Sequence, residues 1–334
     1  MIKLVFFLLL SAFTAVCSFG QTVSNVDACQ EGKNIIITYD TDKAGFADFV
    51  FCSTDGGLTW GEPLRQVTGD VNKQVPAGNH RIVWDVLSER EKLAGANICF
   101  KVEVNSGRFT VNGVSFEMVR VEGGTFRMGA TSEQEDDAWN REKPAHSVTL
   151  SSYYIGKTEV TQTLWQAVMG SNPSYFKGAD LPVENVSWND CQEFIQKLNR
   201  LTGRNFRLPT EAEWEFACRG GNNSRGYKYS GSNNLGSVAW YDGNSGNKTH
   251  PVGTKAPNEL GIYDMSGNVW EWCADWYGDY SSGAQTNPTG PISGSCRVCR
   301  GGCWYIYAWR CRSSLRDGYR PTNRDIILGL RLAL

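Results

Sequence analysis

The chain has 334 residues and a formal charge of −2, enough length for two domains or one large core. That near-neutral balance gives no general pull toward nucleic acid or anionic membrane, so no nucleic-acid partner is expected. The 36 glycines, without any run of apolar heptads, point to turns and long loops rather than long helices.

The N-terminus reads as an export signal. Met1-Ile2-Lys3 places a positive charge before an apolar run from Leu4 to Val16, and Ser18-Phe19-Gly20 supplies small residues for cleavage. The pattern predicts a cut after Gly20, with Gln21 first in the mature chain (residues 1–20 forming the signal). The apolar run is short for a membrane anchor, and no later segment is apolar enough to span. Lipidation at Cys17 is the alternative, although Thr14-Ala15-Val16 is a poor lipobox. The expected location is the periplasm, the cell surface or the medium. Export permits disulfides. Of 11 cysteines, Cys29, Cys52 and Cys99 lie in the first third, and Cys191, Cys218, Cys273, Cys296, Cys299, Cys303 and Cys311 in the rest. Both sets are odd, and connectivity stays open.

Residues 21–110 hold short alternating runs, "NIIITYDT", "FADFVFCS", "HRIVWDVL" and "NICFKVEV", separated by turns. This regularity predicts an all-β sandwich of immunoglobulin or fibronectin type. Between the runs, Ser53-Thr54-Asp55-Gly56-Gly57-Leu58-Thr59-Trp60 resembles the Asp-box, a hairpin turn with a Trp packed beneath it. A single box marks a fold and carries no catalytic implication. Cys52 and Cys99 are expected to be buried or paired with each other. The polar stretch "NSGRFTVNG" (105–113) forms the boundary, and a second domain is expected over 114–334.

Helix signals come early in the second domain. "TEVTQTLWQAVMG" offers Thr161 as cap and Gly170 as stop. "SWNDCQEFIQKLNRLTG" opens on Ser187 and Asp190 in capping-box spacing, with Phe194, Ile195, Leu198 and Leu201 predicted to form its buried face. "TEAEWEFACRGG" repeats the box with Thr210 and Glu213. From Gly220 to Gly301 the chain is rich in Asn, Gly, Ser and Tyr. The reading is an irregular α+β fold whose loops carry function.

Five ordered blocks now point to a family: "GGTFRMG" (123–129), "LPVENVSW" (181–188), "FRLPTEAEWEFACRGG" (206–221), "NELGIYDMSGNVWEW" (258–272), and "RGG" followed by "CRSS" within 300–314. They resemble the formylglycine-generating enzyme, or sulfatase-modifying factor, family over roughly 114–334. The resemblance implies a variant of the C-type lectin fold. It also implies an activity, the copper- and oxygen-dependent oxidation of a sulfatase cysteine to formylglycine. In the enzymes that work falls to two closely spaced cysteines just after the final Gly-Gly, where thiolates suit Cu(I).

This chain departs there. After Gly301-Gly302 no cysteine pair has the family's spacing, and the nucleophile's position falls near Ile306, which has no redox chemistry. Cys303 and Cys311 are the weak catalytic candidates, and copper is implied only if oxidation holds. A zinc site from Cys296, Cys299, Cys303 and Cys311 lacks two proper knuckles, so a partial disulfide is the expectation there. His80, His146 and His250 are widely separated, and the extra histidine-bearing domain of iron-dependent relatives is missing. The resemblance implies one structural Ca²⁺ in the "GNVWEW" block, at Asp264, Gly267, Val269 and Glu271, where hard oxygen ligands suit that ion. The alternative is that Asp264 and Glu271 cap turns or pair with arginines. The enzymes' other calcium site is poorly matched around Val238 and Ala239. Trp270, Trp272 and Trp276 are expected in the core.

The C-terminal stretch carries a fixed skeleton: Arg300-Gly301-Gly302, Trp304, Cys311-Arg312-Ser313-Ser314, Arg316, Pro321, Gly329 and Arg331. Between these lie residues that look arbitrary: Cys299, Cys303, Tyr305, Ile306, Tyr307, Leu315, Asp317, Gly318, Tyr319, Arg320, Asp325, Ile326 and Ile327. Each is reachable from an AAC or AGC codon by changing adenines alone. The pattern resembles the variable region of a diversity-generating retroelement target. Tyr305, Tyr307, Asp317, Tyr319, Arg320 and Asp325 would then form a ligand-binding patch, as tyrosines do in paratopes. Ile326 and Ile327 are either buried strand residues or exposed hot spots. The expected function is an exported, non-oxidising protein that binds a protein or glycan ligand through the face of residues 296–327. The alternatives are a formylglycine-generating oxidase and a structural component of an envelope secretion or gliding complex.

Overall fold

A computed structural model describes residues 23–91, 93–95, 97–105, 107–134 and 137–334; the export signal and Cys17 lie outside these residues. The chain divides between residues 109 and 110 into two compact units.

The first unit is built from β1 (Val23–Glu31), β2 (Asn34–Thr41), β3 (Gly45–Ser53), β4 (Val67–Gly69), β5 (Lys73–Val75), β6 (Gly78–Asp85), the short helix α1 (Val86–Glu89) and β7 (Cys99–Asn105). The strands form two antiparallel sheets in the orders β1-β2-β6-β4 and β5-β3-β7. Alternation along the strands sends Ile35, Ile37 and Tyr39 of β2, Val50 of β3, Trp84 of β6 and Val102 of β7 into one shared core. After β3, the Asp-box closes on Asp55. Ser53 Oγ donates to its Oδ1 (2.6 Å), and the Thr59 amide and hydroxyl donate to its two oxygens (3.0 and 2.6 Å). The Ser53 and Thr59 bonds hold the Asp55 carboxyl down at about 2. Gly57 lies at φ 88°, a left-handed conformation that side chains rarely adopt, so the turn favours glycine there. Cys52 and Cys99 are both buried as free thiols.

Strand β8 (Arg108–Val111) spans the division, and the second unit carries β9 (Val114–Val121), β10 (Gly124–Met128), β11 (His146–Leu150), β12 (Tyr153–Gly156), α2 (Gln162–Met169), α3 (Trp188–Thr202), α4 (Glu211–Cys218), α5 (Leu235–Val238), β13 (Trp270–Trp276), β14 (Gln285–Thr286), β15 (Arg297–Arg300), β16 (Arg316–Tyr319) and β17 (Leu328–Leu330). Its small sheets run β12-β9-β8, β10-β11-β14 and β16-β15-β13-β17. This is a mixed α+β unit of several small sheets and few helices. The helix ends follow the local chemistry of the sequence. Thr161 caps α2 and Gly170 stops it at φ 80°, while Ser187 with Asp190 and Thr210 with Glu213 close reciprocal boxes on α3 and α4. The buried face of α3 is Cys191, Phe194, Ile195 and Leu198. Leu201 is exposed, contrary to the sequence expectation, because it lies on the last turn before the Gly203 stop.

Candidate functional site

The C-terminal stretch is riveted into the second unit by four buried arginines. Arg300 pairs with Glu215, Arg312 with both oxygens of Glu142 (2.7 and 2.8 Å), Arg316 with both oxygens of Glu211 (2.7 Å each), and Arg331 with Glu271 (2.6 and 2.9 Å). Buried guanidinium forks of this kind fix geometry, because each pair satisfies its own desolvated charge. The arginines of the fixed skeleton therefore hold strands β15, β16 and β17 and the loops between them.

On that frame Tyr305 and Tyr307 of the loop 303–310, and residues 322–325 of the following segment, face outward. Tyr305 and Tyr307 are 64% and 65% exposed, and Arg320 and Asp325 are also exposed. Asp317 and Tyr319 are half-buried. Asp317 accepts from Arg141 Nη1 (3.0 Å), Arg310 Nη2 (2.9 Å) and the Gly318 amide (3.0 Å), so its carboxylate organises two arginines. Tyr319 meets Trp272 edge-on at 6.3 Å, and burial pushes its hydroxyl pKa up. Ile326 and Ile327 are half-buried strand-edge residues whose carbonyls accept from Trp304 Nε1 and the Trp270 amide.

Four of the positions read as arbitrary do not belong to the outward set. Cys299, Cys303, Ile306 and Leu315 are buried: Cys299 pairs within the β13–β15–β16 sheet, and the other three point inward beneath the loop. Cys303 and Cys311 also lack the surroundings of a working nucleophile. Burial pushes the Cys303 thiol up to about 12 and the Cys311 thiol well above its ordinary value. A reactive thiol needs the opposite, an accessible and electropositive setting. All ten described cysteines are free thiols, so the partial disulfide expected among Cys296, Cys299, Cys303 and Cys311 is not formed.

Of the residues read as calcium ligands, Glu271 and Asp264 differ in how their carboxylates are engaged. Glu271 Oε2 accepts from Trp214 Nε1 (2.6 Å) and Arg331 Nε (2.9 Å), and its Oε1 accepts from Arg331 Nη2 (2.6 Å). A guanidinium thus occupies both oxygens that a cation would need. Asp264 Oδ2 accepts from the Gly253 amide (2.7 Å), while its Oδ1 has no partner. The Gly267 amide donates to Gly301 and the Val269 amide to Glu159. Among the described residues no group of three or more His, Cys, Asp or Glu is placed to hold a metal ion. Glu271 thus takes the arginine alternative, while Asp264 keeps one buried oxygen open.

Sequence reasoning missed several neighbours of the outward face. Tyr175 is 68% exposed and meets Phe176 edge-on, and Phe176 meets Trp304, which meets Tyr305. Trp139 lies 5.2 Å from Trp309, with Arg141 and Arg310 over its ring. Beneath the face, Glu184 is buried. Its Oε1 accepts from the Phe176 amide (2.8 Å) and its Oε2 has no partner. The signal available was the aromatic pair in "SNPSYFKG", which no periodicity flags.

Residues 107–334 match the family described as "Sulfatase-modifying factor enzyme 1-like domain". The chain is 37% identical to the chaperone protein LppX of Paenibacillus barcinonensis, over 66% of this chain and 88% of that protein. It is 36% identical to the formylglycine-generating enzyme of Mus musculus over 51% of this chain, and spans about half (48%) of that enzyme. Among solved structures, Treponema denticola variable protein 1 aligns with a TM-score of 0.62 and 37% identity, covering 68% of this chain and 97% of that one. PvdO from Pseudomonas aeruginosa aligns with a TM-score of 0.56 and 27% identity, covering 68% and 97%. The chain belongs to the sulfatase-modifying factor enzyme 1-like family.

Proposed function

We propose that this protein is an exported, non-oxidising member of its family that binds a ligand through the C-terminal face of residues 296–327. The observation that carries the reading is the exposure of Tyr305 and Tyr307 on a loop flanked by the buried Arg300 and Arg312 pairs. Large aromatic side chains on a fixed frame give contact area at low entropic cost. Tyr305, Tyr307, Arg320 and Asp325 form the outward surface of that patch, and Asp317 and Tyr319 shape it from the half-buried layer. The likeness to a variable protein supports diversification of these positions, and the likeness to a chaperone favours a protein ligand over a glycan. The buried thiols of Cys303 and Cys311 argue against oxidation. Family members often bind calcium, and the open oxygen of Asp264 is the feature here that supports a structural ion at Asp264, Gly267, Val269 and Glu271. The first unit, read as a β-sandwich, acts as a spacer.

Two experiments test this. Sequencing the DNA flanking the gene is expected to find a reverse transcriptase and a near-copy of the segment encoding residues 296–327, differing at adenines; finding neither removes the diversification. Incubating the purified chain with a cysteine-containing sulfatase-motif peptide, copper and oxygen is expected to yield no aldehyde by mass spectrometry. Aldehyde that disappears in Cys303→Ser or Cys311→Ser would establish the oxidase instead.

A further inference from the structure

A second loop reaches the C-terminal face from outside residues 296–327. The loop 171–177 carries Tyr175, 68% exposed, whose ring meets Phe176 edge-on at 5.1 Å. Phe176 meets Trp304 edge-on at 5.5 Å, and Trp304 meets Tyr305 at 5.3 Å. Three ring contacts therefore join the exposed Tyr175 to the exposed Tyr305. We propose that Tyr175 is a fixed contact residue of the C-terminal face, and that the ligand is an extended protein segment lying across Tyr175 and Tyr305. This rests on the reading of that face as a binding surface.

The loop is held on both sides of Tyr175. Before it, Ser174 is buried; its amide donates to Asn172 Oδ1 (3.0 Å), and its Oγ accepts from the Glu184 amide (3.1 Å). After it, the Phe176 amide donates to Glu184 Oε1 (2.8 Å), and the Phe176 carbonyl accepts from Gln162 Nε2 (2.8 Å). Asn172 Nδ2 donates to Gln162 Oε1 (2.8 Å), which ties the loop to the start of α2. None of these hydrogen-bond partners lies within residues 296–327. The Tyr175 backbone therefore keeps its place whichever side chains that segment carries. A tyrosine on an ordered backbone has only two side-chain torsions to lose on binding.

The chemistry of the row favours a protein segment. The Tyr175 and Tyr305 hydroxyls enter no described hydrogen bond, so both can donate to main-chain carbonyls of a ligand. An extended chain advances roughly 3.3 Å per residue, so about five residues bridge the row. Lys177 follows Phe176 in the loop, and the Ile326 carbonyl, which accepts from Trp304 Nε1 (3.2 Å), brings Asp325 beside the row. Both charged residues are exposed. An aromatic centre with a polar rim of both signs is the make-up of a protein interface.

The test uses peptides as the probe. A displayed library of random dodecapeptides is first depleted on the Tyr305→Ala chain and then selected on the full mature chain. Enriched peptides are expected, and fluorescence polarisation should show them at least about tenfold weaker on Tyr175→Ala. Tyr175→Phe, which keeps the ring, should restore binding to within about threefold of wild type. Leu201→Ala, at an exposed apolar residue on the last turn of α3, should leave it unchanged. Because Tyr175 is exposed, its variants are expected to fold, and an unchanged melting temperature checks this. Enriched peptides that bind Tyr175→Ala as tightly as wild type would overturn the role of Tyr175 and leave the face standing. Failure of any peptide to enrich would overturn the protein ligand. In that case, binding of soluble mannan or dextran that is lost in Tyr305→Ala would make the face a glycan site, and no binding of either would remove the face itself.

Discussion

Arg312 and Glu142, 170 residues apart in sequence, form a fully buried two-bonded ion pair. Ser314 Oγ and the Trp139 amide also donate to Glu142, and Arg312 Nη2 reaches the Asp137 carbonyl. Burial alone would raise the Glu142 carboxyl, but the bonds from Arg312 and Ser314 outweigh it and hold the pKa below the usual range.

Breaking this pair should be costly. Arg312→Ala leaves Glu142 charged and buried, at a cost of about 3–5 kcal/mol. The pair Arg312→Met with Glu142→Met should recover part of that loss, since neither charge is then stranded. Urea denaturation followed by near-ultraviolet circular dichroism measures both. A single-variant loss below about 1 kcal/mol would mean that the pair is not closed in solution. The sign with pH follows from the depressed carboxyl: its contribution is present above the unfolded value of 4.5 and is lost as pH falls through the folded value.

The outward and inward positions of the tail should separate cleanly in stability. Tyr305→Ala and Tyr307→Ala expose no core and should each change stability by no more than about 0.5 kcal/mol. Leu315→Ala empties a fully buried site and should cost about 2–5 kcal/mol. Thermal unfolding of the three variants checks the contrast. Equal losses at Tyr305 and Leu315 would place Tyr305 in the core.

These contrasts show which features the chain states locally. The caps at Thr161, Ser187 and Thr210 were legible because each lies within three residues of its partner. The strands of the first unit were legible from alternation. The burial of Cys303, Ile306 and Leu315 was not, because the loop 301–315 has no period that assigns a face. Which arginine Glu271 meets was not legible, because Arg331 lies 60 residues away and returns to it only through the β13–β17 pairing. Glu159 gave no signal in "KTEV", although its carboxylate accepts the Val269 amide and the Asn268 side chain in the same region.

Thiol accessibility gives a further check. Cys29 is exposed and Cys296 partly so, while the other eight described cysteines are buried. The native mature chain should therefore react rapidly at two thiols with Ellman's reagent and at ten after denaturation. Peptide mapping should place the native labels on Cys29 and Cys296. Fewer than ten thiols in the denatured, unreduced chain would reveal a disulfide, and native labelling of Cys303 would contradict its burial.

Glu184 couples the region under the face to pH. Burial pushes its carboxyl up to about 7, against the pull of the Phe176 and Tyr175 amides, while Lys177 lowers it and Asp325 raises it. A carboxyl raised in the folded state contributes stability fully below its unfolded value of 4.5, and that contribution is lost as pH rises toward about 7. Glu184→Gln keeps an acceptor for the Phe176 amide and places a neutral group where Oε2 has no partner. The variant should match wild type near pH 4 and exceed it in melting temperature near pH 8. Parallel melting curves across that range would show that Glu184 is solvated or paired in solution. A variant less stable at pH 8 would show that the buried charge is held by a cation beneath Phe176.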